Sequence, residues 1–262
     1  MNGVSIREMG AGVKRALQPR GHWLLAPTLL TRRTTLALIV GIGVVIGLVF
    51  GIVPQLDLRI SALFYDPVQR TWPAADSALF ISYRNLSYYL PIILVMIAVV
   101  ARAIVTLRRR ASLLSGWRVA VFLLGSFLLG PGLITNVLLK PRWGRPRPAE
   151  VTQFGGHLDF TPWWNPFGQC DGNCSFVSGE ESVAVWLVAL ALVLPARYRG
   201  AALAIAVLHC ALMGLDRMAM GGHFASDVLF AVVFNALSIW AIYCAVFRNP
   251  ASSPVMSSAA AI

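Results

Sequence analysis

Long runs of apolar residues constrain this chain more than any other feature of its sequence. An α-helix needs roughly 18–20 apolar residues to cross the ~30 Å hydrocarbon core of a bilayer, and lipid forces its backbone to hydrogen-bond within the segment. Apolar runs lie at about residues 35–53, 86–105, 119–139, 181–194, 201–218 and 224–247. They predict an all-α integral membrane protein with six transmembrane helices.

The balance of residue types argues against an ordinary soluble domain. Of the 262 residues, 57% are hydrophobic and 13% are charged, about half the charged fraction of a typical globular domain. A net charge of +11 would favour a nucleic-acid partner in a soluble protein. Here the basic residues fall between apolar runs, where they set topology or line a site. We therefore expect a membrane environment and no nucleic-acid partner.

The lysine and arginine residues also predict the orientation of the chain, because cytoplasmic segments carry an excess of them. Three basic segments fall on one side of a six-span chain: 1–33, 106–118 and 196–200. The segments on the other side are 54–85, 140–177 and 216–223. Both termini are therefore expected in the cytoplasm, with the long loop outside.

One membrane domain is expected, at residues 34–248. A basic cytoplasmic segment at 1–33, with an interfacial helix near 21–30, precedes it. The tail at 249–262 is rich in small residues and is predicted to be disordered.

A cluster of cations lies on the side that the positive-inside rule disfavours. Residues 140–148 read Lys-Pro-Arg-Trp-Gly-Arg-Pro-Arg-Pro. The prolines end a helix and stiffen the chain, so that Lys140, Arg142, Arg145 and Arg147 project from a semi-rigid segment. Clustered Lys and Arg bind phosphate by charge and by forked hydrogen bonds. A stop signal that binds acidic head groups is the alternative, and the segment alone favours it.

A second polar segment, Ser178-Gly179-Glu180-Glu181, directly precedes an apolar run. Ser178 with Glu181 three residues later fits a capping box. Gly179 allows backbone N–H groups to approach a ligand closely, and a helix N-terminus presents free amides to an anion. An ordinary helix cap is the alternative and the commoner case.

A third segment combines Asp216-Arg217 with Gly-Gly-His223-Phe-Ala-Ser-Asp227. His223 and Asp227 are four residues apart, so on a helix they share a face. Asp227 is therefore predicted to accept a hydrogen bond from one ring nitrogen of His223, leaving the other free to attack. A structural His–Asp pair is the alternative.

Two of the four cysteines flank a polar turn in the long outer loop. Cys170 and Cys174 enclose Asp171-Gly172-Asn173, and an extracytoplasmic loop permits a disulfide between them. Two free thiols are the alternative, and the sequence favours neither. Cys210 and Cys244 lie inside apolar runs and are expected to be inert.

The three polar segments together resemble the type 2 phosphatidic acid phosphatase superfamily, which also includes vanadium haloperoxidases. That family's signature is Lys, six residues, Arg-Pro; then Pro-Ser-Gly-His; then Ser-Arg, five residues, His, three residues, Asp. Lys140 with Arg147-Pro148 matches the first element at full spacing. The third element is matched at full spacing by Arg217, His223 and Asp227.

The sequence departs from that signature at two positions. Glu180 replaces the histidine of the second element, and Asp216 replaces the serine before Arg217. The stretch from Asn173 to Glu180 resembles the variant found in lipid A 4′-phosphatases and related bacterial members.

The resemblance implies the helical core of acid phosphatases and vanadium haloperoxidases, and hydrolysis of a phosphate monoester through a phosphohistidine. The nucleophile would be His223, oriented by Asp227, with Glu180 as the acid for the leaving group. The phosphate would be held by Lys140, Arg147, Ser178, Gly179 and Arg217. No metal or other cofactor is expected, because the protein's own cations stabilise the phosphoryl charge. Glu181 and His157 remain alternative proton donors.

The resemblance further implies a lipid phosphatase of a bacterial inner membrane, with its active site at the periplasmic face. The 4′-phosphate of lipid A is the first candidate substrate. Phosphatidylglycerophosphate, phosphatidic acid and undecaprenyl pyrophosphate are alternatives, as is transfer of the phosphate to a second lipid. A non-catalytic binder of anionic lipid, or a transporter, is the alternative from another class. The sequence leaves the oligomeric state open.

Overall fold

A computed structural model describes residues 32–109 and 117–247 of the chain. These residues form helices joined by turns and loops, without a named β-strand among them, which confirms the all-α prediction. Almost all of the predicted basic segment 1–33, the interfacial helix near 21–30 and the tail at 249–262 lie outside the described residues. Those three expectations stay predictions.

The described residues contain seven α-helices. In chain order they are α1 (Arg32–Ile52), α2 (Gln55–Ala62), α3 (Ala78–Arg109), α4 (Trp117–Phe127), α5 (Gly179–Val193), α6 (Ala196–Ala219) and α7 (Ala225–Val246). A π-helical segment, Leu128–Leu139, continues α4, and two 3₁₀ turns cover Pro148–Glu150 and Thr152–Phe154. Helix α3 begins at Ala78, earlier than the span predicted from residue 86.

Five helical segments of the described chain are long and apolar enough to cross a membrane: Arg32–Ile52, Ala78–Ala101, Trp117–Leu139, Ala196–Ala219 and Ala225–Val246. The span predicted at 181–194 corresponds to α5, which has 15 residues. A helix of that length is about 22 Å long, which is shorter than a ~30 Å hydrocarbon core. The predicted count of six transmembrane helices is therefore not confirmed.

The π-helical segment winds through Pro131, which lacks an N–H donor. Asn136 Nδ2 donates to the Pro131 carbonyl oxygen at 2.7 Å. At the end of the segment, Lys140 N–H donates to the Thr135 carbonyl oxygen, five residues earlier, at 3.0 Å. Wide turns of this kind are frequent at functional sites, and this one ends at a predicted site residue.

Helix α5 forms the centre of the helical packing. Nine of its fifteen residues are buried. Trp186 is fully buried in a cluster with Phe122 and Ile239, and its indole N–H donates to Ser126 Oγ at 3.1 Å, so the polar end of the ring is satisfied. Because α5 is enclosed by its neighbours, its N-terminus is held in a fixed position.

The helices on the outside of the bundle expose apolar side chains. In α1, for example, Val45 is 59% and Leu48 is 57% exposed. A continuous apolar surface of this kind suits contact with lipid rather than with water.

Aromatic side chains anchor the long loop between residues 140 and 178. Trp163 packs on Phe230 of α7 with ring centroids 4.5 Å apart, and Trp143 packs on Phe176 at 4.8 Å. Phe167 in the same loop is 89% exposed. Exposed aromatic rings beside a helical bundle are typical of the membrane–water interface.

Candidate active site

Three segments that are distant in sequence meet at one end of the bundle. Lys140 follows the π-helical segment, Glu180 lies in the first turn of α5, and Arg217 and His223 flank the end of α6. A Cβ built on Gly179 would lie 2.9 Å from Lys140 Nζ, so the ammonium group lies against that first turn. Glu180 Oε1 is 3.5 Å from Arg217 Nε, and Oε2 is 3.7 Å from His223 Nε2. The structure therefore brings these predicted site residues together.

His223 is fully buried and held in one orientation. Its Nδ1 lies 2.7 Å from the carbonyl oxygen of Ser175, which can only accept, so Nδ1 carries the proton. Burial, reinforced by the charges of Arg217 and Lys140, lowers the pKa of His223 to about 3. The imidazole is therefore neutral at physiological pH. Its Nε2 has no hydrogen-bond partner among the described residues and keeps a free lone pair on the side of Glu180.

The partner of His223 differs from the prediction. Asp227 Oδ2 accepts hydrogen bonds from the Ser175 hydroxyl and from the N–H of Phe224, the latter at 2.9 Å. The reason is that Asp227 lies in the first turn of α7, where its carboxylate caps the free N–H at the helix start. Asp227 therefore fixes Ser175, and the Ser175 carbonyl oxygen orients the imidazole.

A buried ion-pair network lies behind Asp227. Arg145 is completely buried, donates to Asp227 Oδ1, and donates to Asp57 Oδ2 at 2.7 Å. Its Nε donates to the Thr161 carbonyl oxygen at 2.8 Å. Asp57 also accepts the N–H of Ser226 at 2.9 Å. The network ties helix α2, the long loop and the start of α7 together, and the sequence indicated neither Asp57 nor this role of Arg145.

Asn173 joins two of the predicted phosphate-binding cations. Its side-chain oxygen accepts from Lys140 Nζ at 3.3 Å, and its backbone carbonyl accepts from Arg147 Nη2 at 2.9 Å. Cys170 and Cys174 are joined in the structure by a disulfide of 2.13 Å, which closes the short loop that carries Asn173. The sequence placed Asn173 between the cysteines but gave no signal for these contacts.

Ser178 caps helix α5 as predicted, because its Oγ accepts from the N–H of Glu181 at 3.3 Å. The predicted capping box also requires the Glu181 side chain to accept from the Ser178 N–H. That part of the prediction is wrong, because the Ser178 N–H donates to the Asp227 carbonyl oxygen at 3.4 Å. The Ser178 hydroxyl is thus engaged in the cap. The free amides of the first turn, beside the Lys140 ammonium group, form a favourable place for an anion.

The charges around Glu180 determine its protonation. Burial raises the pKa of Glu180, but the charges of Arg217 and Lys140 outweigh it and hold that pKa well below its usual range. Burial lowers the pKa of Lys140, against the opposing charge of Glu180. In the site without ligand, Glu180 is therefore ionised and balances the cations.

Neither of the two alternative proton donors, His157 and Glu181, forms a hydrogen bond or ion pair with His223 among the described residues. His157 is exposed on the long loop, and its described contact is a backbone N–H to the Glu150 carbonyl oxygen. Glu181 is buried, and its carboxylate lies beside Gly214 of α6. A Cβ built on that glycine would be 3.5 Å from Glu181 Oε2. Within residues 32–109 and 117–247, no group of three or more His, Cys, Asp or Glu side chains could hold a metal ion.

Comparison with known proteins gives a family and several relatives. The family model of the PAP2 superfamily matches residues 117–251, just over half of the chain. The chain is 34% identical to the lipid A 4′-phosphatase of Rhizobium leguminosarum over 207 residues, which cover 72% of this chain and 88% of that protein. It is 42% identical to the lipid A 4′-phosphatase of Francisella tularensis subsp. novicida (strain U112) over 135 residues, 51% of this chain and 61% of that protein.

A more distant likeness extends to a lipid A 1-phosphatase of Rhizobium johnstonii, at 36% identity over 107 residues, which cover 40% of this chain and 39% of that protein. No solved structure matches the chain.

At one end of the helical bundle, a neutral buried imidazole, a carboxylate and clustered cations lie together beside a helix N-terminus. The family match and the relatives named lipid A 4′-phosphatase place the chain in a class of phosphatases, and the described residues carry several candidate membrane spans. The chain belongs to the PAP2 superfamily. The resemblance carried by the three sequence segments is thereby confirmed.

Proposed function

We propose that this protein removes a phosphate monoester from a lipid, through a phosphohistidine formed on His223, at the periplasmic face of a bacterial inner membrane. The first candidate substrate is the 4′-phosphate of lipid A. One observation carries the proposal: the neutral imidazole of His223, fixed by the Ser175 carbonyl oxygen, has a free Nε2 beside Glu180 and Arg217. A site that only binds anions needs the cations, but it has no use for an oriented imidazole.

In the first step the Nε2 lone pair of His223 attacks phosphorus, and the bond from phosphorus to the lipid oxygen breaks. Nδ1–H continues to donate to the Ser175 carbonyl oxygen, which stabilises the positive charge that develops on the ring. The charge on the phosphoryl oxygens is stabilised by the first-turn amides of α5 and by three cations, Lys140, Arg147 and Arg217.

In the second step water attacks the phosphorus atom of the phosphohistidine. The carboxylate of Glu180 accepts a proton from that water, the N–P bond breaks, and neutral His223 and inorganic phosphate are released. The distance of 3.7 Å between Glu180 Oε2 and His223 Nε2 supports this role.

The leaving oxygen needs a proton in the first step, and Glu180 is ionised in the site without ligand because its pKa is held well below its usual range. The proton therefore enters with the substrate. A phosphate monoester has a second pKa of about 6, so its monoanion carries one proton. The negative charge of the bound phosphate also offsets the charge of the cations, which raises the affinity of Glu180 for that proton.

We expect kcat/KM of the wild type to fall as pH rises above about 6, since the protonated form of the substrate then disappears. Glu180→Gln should lower kcat about 10²- to 10⁴-fold, and Glu181→Gln should serve as the neighbouring control. Initial rates between pH 5 and 8 measure both effects. A flat pH profile, or a Glu180→Gln rate equal to that of the wild type, would reject Glu180 as the proton donor.

Asn173→Ala is expected to raise KM about two- to tenfold with little change in kcat, because it removes the acceptor that holds Lys140 Nζ. Asp171→Ala, in the same loop, is the matched control. Steady-state kinetics of the two variants measure the difference. Equal KM values would show that Asn173 does not position the cation.

The relatives named lipid A 4′-phosphatase support lipid A as the substrate. The test is phosphate release from purified lipid A with EDTA present, with the remaining phosphate located by mass spectrometry of the product. We expect loss of the 4′-phosphate and retention of the 1-phosphate. Phosphate release from phosphatidic acid, phosphatidylglycerophosphate or undecaprenyl pyrophosphate, but not from lipid A, would keep the chemistry and change the substrate.

Two further outcomes of the same assay would indicate an activity other than hydrolysis. Loss of lipid phosphate without free phosphate, and with phosphate appearing on a second lipid, would indicate a phosphotransferase. Binding of anionic lipid without any loss of phosphate would indicate a non-catalytic binder or a transporter.

A further inference from the structure

An apolar groove lies between helices α3 and α6. Its volume is about 490 Å³, and its lining includes Leu79, Phe80, Tyr83, Leu212, Leu215 and Asp216. Pockets that hold organic ligands have volumes of about 300–1,000 Å³. Leu79 is 75% and Leu215 is 49% exposed, and both belong to candidate membrane spans. The groove therefore opens on a surface of the bundle that faces lipid.

The groove lies next to the candidate active site. Asp216 in its lining directly precedes Arg217, and Asp216 Oδ2 is 4.0 Å from Arg217 Nη1. Ala219, the last residue of α6, also lines the groove, and His223 follows four residues later. A lipid whose phosphate lies against Arg217 therefore has its apolar chain within reach of the groove.

Asp216 is the exception in this apolar lining. The residue is 3% exposed, and neither of its carboxylate oxygens has a hydrogen-bond partner among the described residues. A carboxylate buried among apolar groups without donors is costly. At 4.0 Å, Arg217 supplies opposite charge but no hydrogen bond. A donor on the molecule that occupies the groove would satisfy Asp216.

We propose that the groove binds an acyl chain of the substrate lipid, and that Asp216 accepts a hydrogen bond from a hydroxyl or amide N–H near the head of that chain. The proposal rests on the lipid phosphatase function given above. A lipid whose chains carry neither donor leaves the carboxylate unpaired and is therefore the poorer substrate.

The chain-binding part is tested by filling the groove. Leu215→Trp should raise KM for a long-chain lipid phosphate by about tenfold or more, because the ring occupies space that the chain needs. Its effect on a two-carbon analogue of the same phosphate should be within about twofold. Leu208→Trp, on the same helix, 60% exposed and outside the lining, is the control. Equal KM values for the two variants, or no preference of the wild type for the long chain, would overturn chain binding in the groove.

The role of Asp216 is tested with two synthetic acylated glucosamine 4-phosphates of equal chain length. One carries N-linked, 3-hydroxylated chains, and the other carries ester-linked chains without hydroxyls. The wild type should prefer the first in kcat/KM, and Asp216→Leu should reduce that preference by at least about tenfold. An equal loss on both lipids would show that Asp216 only balances the charge of Arg217, and would overturn the proposed hydrogen bond.

These outcomes are distinct from a failure of the proposed function. A wild type that releases no phosphate from either lipid would contradict both the lipid phosphatase function and the groove proposal. A wild type that hydrolyses both lipids equally well contradicts the hydrogen bond alone.

Discussion

Replacing His223 by alanine is expected to lower phosphate release from the lipid substrate by at least about 10⁴-fold, because it removes the nitrogen on which we propose that the covalent intermediate forms. His157→Ala, in the exposed part of the long loop, should retain nearly full activity. The measurement is release of free phosphate in detergent micelles with EDTA present.

His223 is fully buried, so its truncation also leaves a cavity. His223→Gln keeps most of the side-chain volume and separates the loss of chemistry from a loss of folding. We expect His223→Gln to unfold near the wild-type temperature and to be as inactive as His223→Ala. Activity within about tenfold of the wild type in a folded His223 variant would contradict the role of His223 as nucleophile.

The second large effect is on stability. Arg145→Met is expected to lower the free energy of unfolding by about 3–5 kcal/mol, because Asp57 and Asp227 then remain buried without a counter-charge. Arg142→Met is the matched control, since Arg142 is an exposed cation three residues earlier. Thermal unfolding in detergent measures the difference between the two variants.

A compensating variant makes the cause of that loss testable. Arg145→Met combined with Asp57→Asn removes one of the two uncompensated charges and should recover part of the lost stability. If Arg145→Met proves as stable as Arg142→Met, or if the double variant recovers nothing, the buried ion pairs do not stabilise this end of the bundle.

The spacing of residues predicted which candidate site residues lie close together near the end of one helix. The interval from Lys140 to Arg147 and that from Arg217 to His223 each lie within a short segment, and the helix termini fix the direction of such segments. The cap of α5 by Ser178 was predictable for the same reason, since a serine before an apolar run satisfies the free N–H groups of the first turn.

The contacts that the sequence did not predict join segments far apart in the chain. The ion pair of Arg145 and Asp57 spans 88 residues, and no spacing rule connects an arginine in a loop with an aspartate in helix α2. The partner of His223 is the backbone carbonyl oxygen of Ser175, which every residue type provides, so it has no sequence signature. The spacing of four residues predicted that the Asp227 carboxylate faces His223. In the structure, Asp227 lies in the first turn of α7, and its carboxylate accepts from the N–H of Phe224 instead.

The fold, like the site, was predictable from the sequence only in part. Apolar runs identify helices because lipid and protein interior both favour apolar side chains, but they do not separate a spanning helix from a buried one. Helix α5 is as apolar as its neighbours, yet it has only 15 residues and is enclosed by the bundle.

The most direct test of the proposed chemistry is to trap the covalent intermediate. Wild-type protein is mixed with lipid A for a few milliseconds, quenched in alkali, in which phosphohistidine survives, and digested for mass spectrometry. We predict one added phosphoryl group on the peptide that contains His223, and none in His223→Gln. Rapid release of phosphate by the wild type with no phosphorylated peptide at any time point would contradict a phosphohistidine and would indicate direct attack of water on the lipid phosphate.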